Sequence, residues 1–165
     1  MTPLLKPLFL GPPVWRVAAA ESLTVGHVQA RIGAESGASA YFVGGITAYT
    51  LETKVRHLGV DRTEAERTAC VSAGVAEAMA AGVCRLFGVD FGVATTGWAE
   101  PDPAAGVLHP FAWWGLARFE PATGTLHRVL SGRIELPGAT RQQAQIEVSD
   151  QVIEQLARWV RQLRG

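Results

Sequence analysis

The chain has 165 residues, 48% of them hydrophobic and 18% charged, and its 15 basic residues balance 15 acidic ones. The low charged fraction is typical of one compact domain and excludes disorder on the scale of a domain. The balanced charge argues against a nucleic-acid partner, and the lack of an apolar run of about 20 residues argues against a membrane partner, so we expect a cytoplasmic protein.

The opening of the chain differs in composition from the rest. Four prolines stand among the first thirteen residues, so we predict an irregular leader over 1–13 and a single domain over 14–165. The two cysteines, Cys70 and Cys84, match no metal or disulfide spacing. We therefore predict no metal and no cofactor. The apolar surplus of so small a chain favours a homo-oligomer such as a homodimer.

The first half of the domain alternates between apolar runs and helical patterns. Residues 14–20 predict a strand that ends in a tight turn at Glu21 and Ser22. Val25, Val28 and Ile32 then follow at helical spacing, and Gly33 predicts the end of that helix. A second strand is predicted over 41–49, and a short helix from Leu51 to Gly59.

The second half predicts two long helices and three more strands. Asp61 is predicted to cap a short helix, Ser72 to cap a long one that ends at Gly88, and Thr140 with Gln143 to open the last helix as a capping box. The strands are predicted over 89–97, 111–119 and 125–130. The last helix has a predicted buried stripe of Val148, Val152, Leu156, Val160 and Leu163. Its arginines, Arg158, Arg161 and Arg164, are typical of a solvated helix face, although a local basic patch is an alternative.

This order of elements predicts the fold. Early alternation of strands and helices, followed by a hairpin and a closing helix, indicates an α/β protein. We predict a three-layer α/β/α sandwich with a mixed, mostly parallel sheet. Ligands of such sheets bind at the carboxyl ends of the strands. Three polar clusters fall at such ends, over 21–24, 49–54 and 95–97, and we expect them to converge on one cleft.

The first of these clusters permits two interpretations. A serine before a helix, here Ser22, is far more often an N-cap than a nucleophile, and Thr24 permits the same structural interpretation. Glu21 is as well explained by a buried contact to backbone amides as by a functional role.

Lys54 is more informative because the chain uses arginine for nearly every other cation. It has thirteen arginines and only two lysines, the other being Lys6. Burial can lower the pKa of a lysine until it acts as a base, whereas a guanidinium does not deprotonate. A surface helix lysine is the alternative on composition alone.

Four segments in this order match a known family. AAAESLTVGH, SGASAYFVGGITAYTLETKVRHLGV, CVSAGVAEAMAAG and DFGVATTGWAEPD resemble the CinA C-terminal domain family, the nicotinamide mononucleotide deamidases. The resemblance covers about residues 14–160. It implies the three-layer fold and the hydrolysis of nicotinamide mononucleotide to nicotinic acid mononucleotide and ammonia, with a small-molecule nucleotide or amide as the partner.

The resemblance also implies roles for individual residues. Matched to the family motifs, Ser22 is the nucleophile, a neutral Lys54 its base, and Tyr49 orients the lysine or relays a proton to ammonia. Amides at the start of the first predicted helix, the one that follows Ser22, would stabilise the oxyanion. The remaining matched positions imply substrate contacts, with Arg141 holding the phosphate: Thr24, Gly26, Thr96, Gly97 and Arg141.

The sequence departs from the family pattern around this site. Val25 replaces a glycine and Leu23 a cysteine, and Glu100 and Pro103 stand in a loop that is rich in glycine in the family. Glu100 places a negative charge where an anion would bind. These replacements, together with Ala104 and Trp113, predict that larger side chains fill part of the substrate site.

Two functions follow from this comparison. One is an amidohydrolase with an altered substrate. The other is a catalytically silent CinA-like module that binds a nucleotide or a protein, in which Trp98 either stacks on a ligand ring or packs in the core.

Overall fold

Five strands form one mixed sheet in a computed structural model that describes residues 4–165. The strands are β1 Val17–Glu21, β2 Phe42–Thr47, β3 Phe91–Trp98, β4 Phe111–Glu120 and β5 Thr125–Glu135. The helices are α1 Lys6–Phe9, α2 His27–Gly33, α3 Leu51–Leu58, α4 Arg62–Arg67, α5 Ala73–Phe87 and α6 Arg141–Arg164. The sheet order is β2-β1-β3-β4-β5, and only β4 runs opposite to the others. The α/β fold is as predicted.

The alternating side chains of β1 show how the sheet separates two helical layers. Val17 and Ala19 belong to an apolar cluster with residues of α2 and α6 on one face. Ala18 and Ala20 belong to a second cluster with residues of α5 on the other face. Because successive strand residues point to opposite faces, the uninterrupted apolar run of β1 is explained by burial on both sides.

Helix α5 packs closely on the sheet because the strands beneath it carry glycine. A Cβ atom at Gly92 would lie 2.0 Å from the Ala80 carbonyl oxygen of α5. A Cβ atom at Gly115 would lie 2.3 Å from the carbonyl oxygen of Ala76. The backbones of helix and sheet are therefore in direct contact at these two positions.

The N-terminal segment is part of the core, which corrects the prediction of an irregular leader. Residues 6–9 form α1, and Phe9 is fully buried and stacks on Tyr41 with 5.4 Å between ring centroids. Arg164 holds this segment, since its guanidinium donates to the Leu8 carbonyl oxygen at 2.9 Å and lies 3.7 Å from the Trp15 ring centroid. Arg164 is thus not part of a solvated face. The predicted leader also includes residues 1–3, which lie outside the described residues.

Helix α6 begins at the predicted capping box of Thr140 and Gln143. Its predicted stripe is buried except for Leu163, which is 44% exposed because the last turn extends beyond the edge of the core. Strand β5 is longer than predicted, since it extends to Glu135, whereas β3 begins two residues later and ends one residue later than predicted. Within residues 4–165, none of the helices has the length and apolarity needed to cross a bilayer.

Candidate active site

A cavity of about 360 Å³ lies beyond the carboxyl ends of the parallel strands β1, β2 and β3. Its wall is formed by Ser22 and Leu23 after β1, Tyr49 and Lys54 after β2, residues 69–71, residues 96–103 and Arg141. The three polar clusters expected to converge therefore contribute to one cavity. Its position is the usual ligand site of an open α/β sheet.

Ser22 is the first residue after β1, and its backbone is held in place by the neighbouring strand. Its amide donates to the Thr95 carbonyl oxygen at 3.0 Å, and the residue is 7% exposed at the cavity wall. The interpretation of Ser22 as a helix N-cap is wrong. Helix α2 begins five residues later, with Gly26 as its N-cap at a φ of 98°.

Glu21 provides the negative group that caps α2. Its buried carboxylate accepts from the amides of Gly26, Val28 and Gln29 at 2.9, 3.0 and 2.9 Å. Helix N-terminal amides are the ones that commonly bind an anion, and here the protein's own carboxylate takes that place. These amides are therefore not free for an oxyanion, which corrects the expectation that they would stabilise it.

Thr24 and Gly26 lie outside the cavity wall, contrary to the roles that the resemblance implies for them. The Thr24 hydroxyl is fully buried and donates its hydrogen to the Glu21 carboxylate at 2.6 Å. The Thr95 hydroxyl lies 2.8 Å from Thr24 Oγ1 and must therefore be the donor in that second bond. Gly26 uses its amide on Glu21. Both residues shape the turn after β1 because a buried carboxylate requires several donors.

Lys54 lies in the first turn of α3 and is 1% exposed, so it is not a surface lysine. Its Nζ lies 2.9 Å from Ser22 Oγ, 2.8 Å from the Ala48 carbonyl oxygen and 3.1 Å from the Tyr49 carbonyl oxygen. No carboxylate within residues 4–165 forms an ion pair with it. Burial lowers the pKa of Lys54 from its ordinary value of 10.5, and the nearby Cys70 acts weakly in the opposite direction.

The Lys54 ammonium can donate to all three neighbours through its three N–H groups, and the neutral amine can keep the same three contacts in a different way. A neutral lysine has two N–H donors and one lone pair. The carbonyl oxygens of Ala48 and Tyr49 accept the two N–H groups. The lone pair is then left for the remaining neighbour, the Ser22 hydroxyl, which donates to it. In this state the lysine is oriented to take the serine proton.

Tyr49 contacts Arg141 through its side chain and Lys54 only through its carbonyl oxygen. Arg141 Nη2 donates to the Tyr49 hydroxyl oxygen at 2.8 Å, and Arg141 Nη1 donates to Glu100 Oε1 at 2.8 Å. The Tyr49 hydrogen bond and, secondarily, the Glu100 carboxylate raise the pKa of Arg141. The implied orientation of the lysine by the tyrosine side chain is thus replaced by orientation from the backbone, and the guanidinium is already paired with a carboxylate.

Thr96 and Gly97 line the cavity but serve the packing of β3. The Thr96 hydroxyl donates to the Cys70 carbonyl oxygen at 2.7 Å and ties the strand to the loop before α5. A Cβ atom at Gly97 would lie 2.4 Å from the Phe111 carbonyl oxygen, so the close approach of β4 requires glycine.

Of the replacements expected to fill the site, Leu23, Glu100 and Pro103 do line the cavity, which nevertheless stays open with a volume of about 360 Å³. The others lie away from its wall. Val25 is 46% exposed, adopts a φ of 43° and lies outside both α2 and the cavity wall. Trp113 and Ala104 are likewise not part of the wall. Trp98 does line the cavity and is half-buried.

Sequence reasoning missed the contribution of residues 69–71. Ala69 and Cys70 have φ values of 50° and 64° and bring this loop against the cavity. Neither residue type signals a left-handed backbone, so no sequence pattern marks this turn. Within residues 4–165, no group of three or more His, Cys, Asp or Glu side chains is close enough to hold a metal ion.

The fold and the cavity define a class of protein: a three-layer α/β/α domain with a buried serine–lysine pair at the carboxyl ends of its parallel strands. A family model described as the CinA C-terminal domain matches residues 12–160. The chain belongs to the CinA C-terminal domain family.

Individual relatives are similar over part of their length. The chain is 49% identical to a CinA-like protein of Mycolicibacterium vanbaalenii over 85 residues, which are 52% of this chain and 20% of that protein. It is 39% identical to a competence-damage inducible protein of Limosilactobacillus fermentum over 128 residues, which are 77% of this chain and 29% of that protein. The chain thus spans less than a third of either relative.

Solved structures show the same fold. A CinA superfamily protein from Enterobacter cloacae superposes with a TM-score of 0.79 at 20% identity, covering 88% of this chain and 82% of that one. The competence/damage inducible protein CihA from Agrobacterium tumefaciens superposes with a TM-score of 0.76 at 25% identity, covering 92% and 86%. At this level of identity the likeness supports the architecture.

Proposed function

We propose that this domain is a serine–lysine amidohydrolase whose mechanism resembles that of the nicotinamide mononucleotide deamidases. The observation that carries the proposal is the buried contact between Lys54 Nζ and Ser22 Oγ, 2.9 Å long and open to a cavity on the serine side. Burial without a carboxylate partner among the described residues lowers the pKa of Lys54, which favours the neutral state that a general base requires.

The first half of the reaction forms an acyl-enzyme. Ser22 Oγ attacks the carboxamide carbon while its proton passes to Lys54 Nζ. The tetrahedral intermediate then collapses, the carbon–nitrogen bond breaks, and the Lys54 ammonium gives its proton to the departing ammonia. Tyr49 accepts from Arg141 through its oxygen and keeps its own O–H to donate, so we assign it to proton transfer or hydrogen bonding at the leaving group.

The amide of Leu23 is our candidate donor to the oxyanion. Of the backbone amides from Ser22 to Gln29, only those of Leu23 and Thr24 have no acceptor within the described part of the chain. Leu23 lines the cavity and directly follows the nucleophile. This is the position from which the amide after a nucleophilic serine stabilises the intermediate in other hydrolases.

The second half of the reaction regenerates the enzyme. Lys54, again neutral, takes a proton from a water molecule, which attacks the ester carbon of the acyl-enzyme. Ser22 Oγ departs and recovers its proton from Lys54, and the acid product leaves as a carboxylate. In sum, a carboxamide and water give a carboxylate and ammonium. The half-buried Trp98 at the wall supports an aromatic carboxamide as substrate, because an indole ring can stack on an aromatic ligand.

Ammonia release tests the proposal. The purified domain is incubated with nicotinamide mononucleotide and with its phosphate-free form, nicotinamide riboside. We expect wild-type release from at least one of them and a loss of about 10²–10⁴-fold in kcat/KM for Ser22→Ala and for Lys54→Met. Lys6→Met, at the only other lysine, is the matched control and should retain wild-type activity.

Two results would contradict the proposal. The first is that neither amide yields ammonia above background. The second is that Ser22→Ala retains wild-type activity. Nucleotide binding by calorimetry without ammonia release would identify the catalytically silent module instead.

A further inference from the structure

The outer wall of the cavity carries few groups that attract an anion. Residues 96–103 include the carboxylates of Glu100 and Asp102 and the prolines Pro101 and Pro103, which have no N–H to offer. The Asp102 amide is also unavailable, because it donates to the Val107 carbonyl oxygen at 2.9 Å. The amides of Ala99 and Glu100 have no acceptor within residues 4–165, but a glycine-rich loop that cradles phosphate presents more free amides and no carboxylate beside them.

The one guanidinium that lines the cavity within residues 4–165 already has a carboxylate partner. Arg141 and Lys54 are the only lysine or arginine side chains among the described residues that line the cavity. Arg141 donates through one terminal nitrogen to Glu100 and through the other to Tyr49, both at 2.8 Å. Glu100 and Asp102 therefore bring two carboxylates to this mouth, against the single guanidinium of Arg141.

The Glu100–Arg141 ion pair affects ligand binding more than it affects the free energy of folding. The two side chains are 59% and 44% exposed, and ion pairs this exposed add little to the free energy of folding. A phosphate dianion that approached Arg141, however, would meet a carboxylate on the same guanidinium. Repulsion between like charges about 5 Å apart, even in a largely aqueous setting, weakens binding by roughly tenfold or more.

We propose that Glu100 is a specificity-determining residue that, by pairing with Arg141, excludes phosphate and selects uncharged or cationic carboxamides. The chemical class of substrate is an aromatic carboxamide joined to a polar group without phosphate, such as a sugar. Glu100 Oε2 makes no hydrogen bond within residues 4–165 and is available to accept from a hydroxyl of such a group. The carboxamide part of this assignment rests on the proposed function, whereas the exclusion of phosphate is measurable separately.

Two substrates that differ only by a phosphate test the inference. In the wild type we expect kcat/KM for nicotinamide riboside to exceed that for nicotinamide mononucleotide at least tenfold. Glu100→Gln should raise kcat/KM for the mononucleotide about tenfold and change that for the riboside less than threefold. A wild-type preference for the mononucleotide, or an unchanged ratio in Glu100→Gln, would overturn the inference.

Glu135→Gln is the matched control. Glu135 contacts Arg133 through one oxygen and His109 through the other, both at 2.6 Å, is 45% exposed and lies outside the cavity wall. Its substitution removes the same charge from a similar ion pair and should leave the substrate ratio as in the wild type. An equal shift in both variants would show that net charge, and not the Arg141 contact, sets the preference.

Binding gives a readout that does not depend on turnover. In the Ser22→Ala background, calorimetric titration with the mononucleotide should show about tenfold tighter binding when Glu100→Gln is added, with the gain shrinking at high salt. Equal affinities would overturn the inference even where the hydrolase proposal holds. If neither amide is hydrolysed, the proposed function fails, and this titration still decides whether Glu100 excludes phosphate.

Discussion

Lys54 shows how one buried side chain acquires its chemistry from its surroundings. A charged amine with no carboxylate partner is costly to bury, and the protein surrounds it with two carbonyl oxygens and one hydroxyl instead. Because burial lowers the pKa of this lysine, its protonation must be linked to folding.

We predict that the stability of the domain depends on the titration of Lys54. Between the lowered pKa of Lys54 in the folded protein and the value near 10.5 in the unfolded chain, only the unfolded chain binds the proton. The free energy of unfolding, relative to Lys54→Met, should therefore rise with pH across this interval, by at most about 1.4 kcal/mol per pH unit. Below the folded pKa both states are protonated, and the difference should be constant.

Urea denaturation of the two proteins at several pH values measures this difference. Methionine has a similar length and does not titrate, so the variant isolates the contribution of the amine. A difference that falls with rising pH, or that does not change up to pH 10, would show that the amine is not held neutral by burial.

At the scale of single elements, the turn from β1 into α2 depends on Glu21. Its carboxylate caps the helix through three backbone amides and also accepts from the Thr24 hydroxyl. The turn that places Ser22 beside Lys54 is built over this carboxylate. The geometry of the nucleophile thus rests on a structural group that is fully buried beneath it.

We expect Glu21→Gln to lower the free energy of unfolding by about 2–4 kcal/mol. The neutral amide offers one acceptor and turns an NH₂ group toward amides that need an acceptor. Asp61→Asn is the control, because Asp61 also caps a helix, accepting from the Glu64 amide at 2.8 Å, but is exposed. Asparagine is a good N-cap, so this loss should stay below about 1 kcal/mol. Equal losses in guanidinium denaturation would contradict the assigned role of Glu21.

At the scale of the whole molecule, α5 and the sheet form one rigid contact through glycine. Gly92 on β3 and Gly115 on β4 both lie directly beneath the backbone of α5. This contact sets the distance between the layer that contains α5 and the strands whose ends form the cavity. A side chain there can be accommodated only by moving the helix or the sheet.

We predict that Gly115→Ala destabilises the domain by about 3 kcal/mol, since the added Cβ would overlap the Ala76 carbonyl oxygen. Gly33→Ala is the control, because nothing lies within 4 Å of a Cβ atom at that position. It should change stability by less than about 1 kcal/mol, and in the stabilising direction. Thermal unfolding compares the two variants, and a Tm for Gly115→Ala equal to that of the wild type would show that the helix can shift freely.

The sequence by itself determined the order of the helices and strands after α1, the α/β fold and the helix caps at Ser72 and Thr140. These features depend on local physics, because a capping side chain bonds to amides two or three residues away and an apolar period marks a buried face. The sequence also predicted that Ser22 and Lys54 lie at the same cleft, because the carboxyl ends of parallel strands meet at one edge of a sheet.

Only the tertiary structure decided which partner each polar group takes. Arg141 is 92 residues from Tyr49 and 41 from Glu100, yet it bonds to both, and this pairing alters the charge of the cavity mouth. Glu21, and not Ser22, caps α2 because the carboxylate is buried where the turn directs the helix amides toward it. Such choices depend on which donors and acceptors folding brings together out of water, and no local pattern encodes that competition.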